Sequence, residues 1–95
     1  MSRSNNRSRK SKKRSHLLSQ DAIATAREAL EDVADGEVGE HIGVTGLSRN
    51  VATHRFDAHV PGYPGWEWHA VVACAEGSRT PTVNEVALVP GGHAL

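Results

Sequence analysis

A single cysteine, Cys74, is all the thiol chemistry in this chain. One thiol makes neither an internal disulfide nor a multi-cysteine zinc site, and a reducing compartment is its simplest setting. Long apolar runs are missing too: nothing approaches the roughly 20 residues that a membrane-spanning helix needs. The basic start is followed only by His16-Leu17-Leu18-Ser19, far short of the apolar stretch of a secretion signal. The expectation is a cytoplasmic protein with no membrane attachment. No glycine-rich phosphate loop is present, because Gly36, Gly39, Gly43 and Gly46 fit neither the Walker nor the dinucleotide spacing. Aromatic residues are few, and all four lie between Phe56 and Trp68.

The first fifteen residues lack every core-forming side chain, with Met1 their only apolar residue. They also lack acids. The chain's formal charge is zero, but the average conceals a split. Seven of the eleven basic residues are Arg3, Arg7, Arg9, Lys10, Lys12, Lys13 and Arg14. The body keeps four arginines (Arg27, Arg49, Arg55 and Arg79) against all eleven acids, so the tail carries +7 and the body −7. Each half presents its own field. Like charges with nothing to bury favour disorder, so residues 1–15 are expected to form a disordered basic tail and residues 16–95 one small domain.

Periodicity sets out that domain. Ile23, Ala26, Leu30 and Val33 recur at helical spacing and predict a helix over about Gln20 to Ala34. Ser19 suits its N-cap, Asp21 the positive end of its dipole, and Gly36 a left-handed C-cap. Period two then takes over. Strands are expected over Glu37–Thr45, Val51–Val60, Trp66–Cys74 and Thr82–Val89. On the second, Ala52, His54, Phe56, Ala58 and Val60 share one face, with Thr53, Arg55, Asp57 and His59 on the other. On the third, Trp66, Trp68, Ala70, Val72 and Cys74 align. Gly39 and Gly43 read as marks of a bulge or of close strand packing. Pro61-Gly62-Tyr63-Pro64-Gly65 is a rigid connector. Short connections favour an antiparallel meander, and one helix on one sheet face makes an α+β fold. The helix is expected to pack on Phe56, Val60, Trp66, Trp68 and Val72.

Four segments together resemble a known family. They are Val38-Gly39-Glu40-His41-Ile42-Gly43-Val44, Val51-Ala52-Thr53-His54-Arg55-Phe56, Pro61-Gly62-Tyr63-Pro64-Gly65-Trp66-Glu67-Trp68 and Thr82-Val83-Asn84-Glu85-Val86-Ala87-Leu88-Val89-Pro90-Gly91. In order and spacing they are similar to the actinobacterial domain-of-unknown-function family 3027, over roughly Ser19 to Leu95. Ala26-Arg27 in the preceding helix fits as well. The resemblance implies an actinobacterial-type cytoplasmic protein. Members of that family run on into a segment containing tryptophan and proline, so it also implies a short or truncated member here. It carries no activity and no site residues.

The candidate chemistry is sparse. A cationic tail neutralises phosphates and releases counterions, choosing nucleic acid by charge rather than by base sequence. Arg3, Arg7, Arg9, Lys10, Lys12, Lys13 and Arg14 are therefore the candidate RNA or DNA contacts. A merely solubilising tail, or one folded back on the acidic body, is the alternative. Trp66 and Trp68 align with Ala70 and Val72, which favours core packing over base stacking. Tyr63, Trp66, Trp68 and Arg55 form the candidate ligand or partner surface. A protein partner or self-association through the sheet face or edge is the second functional reading. A small-molecule or metal binder built around the connector is the third. The histidines show no metal-ligand spacing, and His69 is expected near Glu67 or Asp57. Cys74, among apolar residues, is expected to be buried and inert. No constellation points to an enzyme, and no cofactor is expected.

Overall fold

The computed structural model describes residues 16–34, 36–92 and 94. The basic tail lies outside the described residues, and so do Asp35, His93 and Leu95.

Residues 16–18 are helical, and the main helix α1 (Gln20–Val33) follows after Ser19. Ser19 caps it in extended geometry: its Oγ accepts from the Ala22 amide at 3.1 Å and donates to the His16 carbonyl at 3.3 Å. One hydroxyl thus satisfies an amide that the first turn leaves unpaired. At the other end the Ala34 amide still donates to the Leu30 carbonyl, at 2.8 Å, while Ala34 itself turns extended. Gly36 is not the left-handed cap that its position suggested, since its φ is not positive. It is small for another reason: a Cβ there would sit 2.6 Å from the His59 carbonyl oxygen.

Four strands form one antiparallel sheet in the order β1-β2-β3-β4: Glu37–Thr45, Val51–His59, Trp66–Ala73 and Thr82–Pro90. The α+β reading therefore holds, as one main helix followed by a meander. The helix packs across β3, β4 and β1 on one sheet face. The β2–β3 register pairs Phe56 with Trp68, His54 with Ala70 and Ala52 with Val72, so large residues meet small or flat ones. All six are buried, together with Leu17, Ala22, Ala26, Leu30 and Cys74.

Two features of the packing differ from the periodic reading. The buried stripe of the helix is Ala22, Ala26 and Leu30; Ile23 is half-buried beside it. Val33, the last helical residue, runs past its cover and is 57% exposed. Trp66 aligns with Trp68 but stays outside the core cluster, half-buried at the strand's start; Val60 lies half-buried against the cluster.

Strand β1 breaks its alternation. The register shifts between Val38 and His41 and again between His41 and Gly43. Gly39 at this irregularity is there for space, since a Cβ would lie 2.5 Å from the His59 ring, whereas Gly43 has room for a Cβ but takes a φ of +155°. The double shift turns His41 toward Phe56 and leaves Ile42 41% exposed.

Burial sets the expected mutational costs. Leu17→Ala removes a fully buried side chain and should destabilise the fold by about 2–5 kcal/mol. Val33→Ala should cost less than about 0.5 kcal/mol. Urea midpoints of the two variants, measured side by side, check this contrast.

Candidate functional site

Three groups of polar or aromatic residues stand out in the body. The first is built by the β2–β3 connector, which repeats proline, glycine and an aromatic residue twice. The Tyr63 amide donates to the Val60 carbonyl at 3.1 Å, and the Trp66 amide to the Tyr63 carbonyl at 3.3 Å. Gly62 and Gly65 take φ of +86° and +82°. Proline followed by a positive-φ glycine defines two type II turns in tandem. The Gly91 amide ties the connector to the end of β4 through the Gly65 carbonyl, at 3.1 Å. The turns set Tyr63 and Trp66 edge to face, with centroids 4.9 Å apart and planes at 85°. An open concavity of about 600 Å³ runs along them, lined also by Asp57, His59, Val60 and the two prolines.

The second group lies on the sheet face opposite the helix. Arg55 grips Glu67 with two hydrogen bonds, Nε to Oε1 and Nη2 to Oε2, each 2.9 Å. His69 Nε2 adds a third contact to Oε1 at 3.0 Å. The parallel fork makes this a charge-assisted, bidentate pair. The Arg55 hydrogen bond is the main cause holding the Glu67 carboxyl below its usual range, against the opposing pull of burial. Arg55 is raised in turn by the same bond. Alternation on β2 and β3 placed these three side chains on one face, as the register Arg55–His69 and Asp57–Glu67 now shows.

The third group is buried, and sequence reading missed it. His54 is fully buried, with Nε2 at 2.6 Å from the Leu17 carbonyl and Nδ1 at 2.9 Å from His41 Nε2. A carbonyl only accepts, so Nε2 of His54 carries the proton. With that proton on Nε2, the geometry suits Nδ1 of His54 as acceptor when the ring is uncharged, with His41 Nε2 donating to it. His41 also meets Phe56 edge-on. Arg27 lies 4.9 Å from the centroid of the same phenylalanine ring and donates to the carbonyls of Val38 and Gly39, both at 2.9 Å. Burial, then the neighbouring His54 and Arg27, pushes the His41 pKa down. Strict alternation could not reveal the pair, because the bulge in β1 brings His41 to the His54 side.

The sequence-derived candidates thus separate. Tyr63 and Trp66 come together. Trp68 is buried in the core, its Nε1 without an acceptor among the described residues. Arg55 belongs to the Glu67 cluster on the open face. Cys74 is buried, its thiol donating to the Ser78 carbonyl at 3.2 Å. The seven tail cations lie outside the described residues. Among the described residues no three His, Cys, Asp or Glu side chains gather as a metal site would require, and no helix is long and apolar enough to cross a membrane.

These features define a small helix-backed antiparallel meander with an aromatic corner at one end of its sheet. The chain belongs to the family described as protein of unknown function DUF3027, whose pattern matches residues 39–95. It is 49% identical over 75 residues to uncharacterised proteins of Mycobacterium bovis and Mycobacterium tuberculosis. The match covers 78% of this chain and 29% of each relative, so the chain spans less than a third of the relatives' length. No solved structure matches it.

Acid should weaken the fold in two steps. His41 binds a proton less readily folded than unfolded, so its contribution is complete above pH of about 6.5 and is lost as pH falls from there toward the folded value. Glu67 holds its charge more firmly folded, so its contribution goes as pH falls below about 4.5. Urea midpoints across pH 7.5 to 3 should fall in both windows, and His41→Gln should remove the upper step. Arg55→Ala should cost about 1–3 kcal/mol at neutral pH by stripping a largely buried carboxylate of its fork.

Proposed function

We propose that this protein is a non-enzymatic, cytoplasmic binding module that contacts RNA or DNA through its basic tail. The observation that supports this reading is how the body uses its own cations. Arg27 is committed to the carbonyls of Val38 and Gly39, Arg55 to Glu67, and Arg49 to Glu76 at 3.2 Å. Among the described residues only Arg79 is without such a partner, and the body has no lysine. An acidic body with its arginines engaged offers phosphates little. Arg3, Arg7, Arg9, Lys10, Lys12, Lys13 and Arg14 remain as the cations for a polyanion. The buried Trp68 likewise argues against the sheet as a base-stacking platform.

A second reading, a protein-interaction module, draws on the uncovered sheet face. There Val71, Ala87 and Val89 lie half-buried beside the Arg55–Glu67–His69 cluster. Such a face suits a partner that covers apolar surface while leaving the ion pair intact.

Fluorescence anisotropy with labelled RNA and duplex DNA separates the two. The whole chain is compared, across a salt series, with one whose seven tail cations are changed to glutamine. Log affinity of the whole chain should fall with log salt at a slope of roughly −3 to −6, and the neutralised chain should not bind. Absence of binding at about 50 mM salt, or binding indifferent to neutralisation, overturns the nucleic-acid reading.

A further inference from the structure

We infer that the free edge of β4 pairs with β4 of a second copy of this chain, joining two four-stranded sheets into one. Three observations lead there. First, the two edges of the sheet are built differently. Among the described residues β1 and β4 are its outer strands, each with one side unpaired. An outward row of amides and carbonyls is a template for another strand unless bulges, charges or proline blunt it. Strand β1 is blunted within its span, by two register shifts and by the exposed Glu37 and Glu40. Strand β4 is blunted near its ends. Asn84 is the extra residue where the register with β3 shifts, and Pro90 has no amide hydrogen to donate. Between them Glu85, Val86, Ala87, Leu88 and Val89 pair regularly with β3.

Second, that regular stretch is apolar on both faces. Val86 and Leu88 pack against the core cluster, while Ala87 and Val89 lie half-buried on the uncovered face. Glu85 is its one charge, at its first position. Third, the stretch is complementary to itself. Antiparallel pairing about a two-fold axis at Ala87 keeps every side chain on its own face of the joined sheet. It sets Val86 against the partner's Leu88 and Glu85 against the partner's Val89. No like charges meet.

Charge selects a copy over a different protein. Residues 1–15 carry +7 and the body −7. A second copy offers its tail to this body and its body to this tail, and two neutral chains have no net repulsion to overcome. A uniformly acidic or basic partner would be repelled by one half of this chain. The inference does not rest on nucleic-acid binding, and its test needs no nucleic acid.

The test is sedimentation of the whole chain over a concentration series. A pairing this short buries less than a standard interface, so the dimer should be weak, half-formed at about 10–100 µM. Ala87→Lys sets two lysines face to face at the axis and should weaken the dimer several-fold. Val89→Lys sets each lysine opposite the partner's Glu85 and should keep or tighten it. Adding Glu85→Lys to Val89→Lys turns both attractive pairs repulsive and should undo that dimer, so the test does not hang on Ala87 alone. All three side chains lie on the uncovered face, and thermal unfolding at low concentration checks that the variants fold. A chain still monomeric at about 1 mM overturns the inference and leaves the edge to a strand of another protein. A dimer indifferent to these changes, or weakened equally by Ala87→Lys and Val89→Lys, overturns the β4 pairing.

Discussion

A buried imidazole must satisfy both of its nitrogens, and in this domain that demand ties three segments of chain together. His54 sits on β2 with no exposure; it reaches the helical turn at residues 16–18 through the Leu17 carbonyl and β1 through His41. Leaving either nitrogen unpaired would cost about 1–3 kcal/mol, a large share of what so small a domain can gain. The turn before Ser19 is thereby held in place by a polar bond as well as by the burial of Leu17. The bulge in β1 follows from the same requirement. A regular strand would aim His41 away from His54, and the register shifts correct the aim. Arg27 then caps the carbonyls of Val38 and Gly39 at the irregularity, which links the helix to the distorted strand.

The helix contributes closeness more than bulk. Two of its three buried residues are alanines, so its backbone rides near the sheet. Leu30 is its one large buried side chain, and the rest of the core volume comes from Leu17, Phe56, Trp68 and Val72. With so few large side chains, the polar contacts have unusual weight. The Arg55–Glu67 fork does for the outer face what His54 does for the inner one: it fixes the register of β2 against β3 by geometry that a one-residue slip would destroy.

Much of this was legible in the residues before the structure. Period 3.6 before Asp35 and period two after it located the helix and all four strands, because each face buries against one layer. Ser19 was legible as a cap since its role is local. The face of β2 was legible because no bulge interrupts it. What escaped were features decided by neighbours distant in sequence. Val33 obeys the helical spacing, yet it stays 57% exposed. Gly36 looks like a cap, yet it is small because the His59 carbonyl passes against it. Trp66 aligns with Trp68, yet it turns to Tyr63, because the connector folds back on the strand's first residue. The His41–His54 pair depended on a bulge that glycines hinted at without giving its phase.

Charge organises what the domain can meet. Three of the body's four arginines bridge separate segments, Arg27 to the carbonyls of Val38 and Gly39, Arg55 to Glu67 and Arg49 to Glu76, and the last two are paired with opposite charge where they stand. Among the described residues most of the acids other than Glu67 and Glu76 are without an arginine partner, and the body as a whole stays negative. A tail of equal and opposite charge is then attracted to its own domain as well as to polyanions. Nucleic acid, with one charge per roughly 1.7 Å of duplex, presents the denser array and releases more counterions on binding. The body competes with a lower density but at a high effective concentration, because it is tethered to the tail. The balance between these two attractions, rather than the strength of either, would decide how much of the tail is free to act.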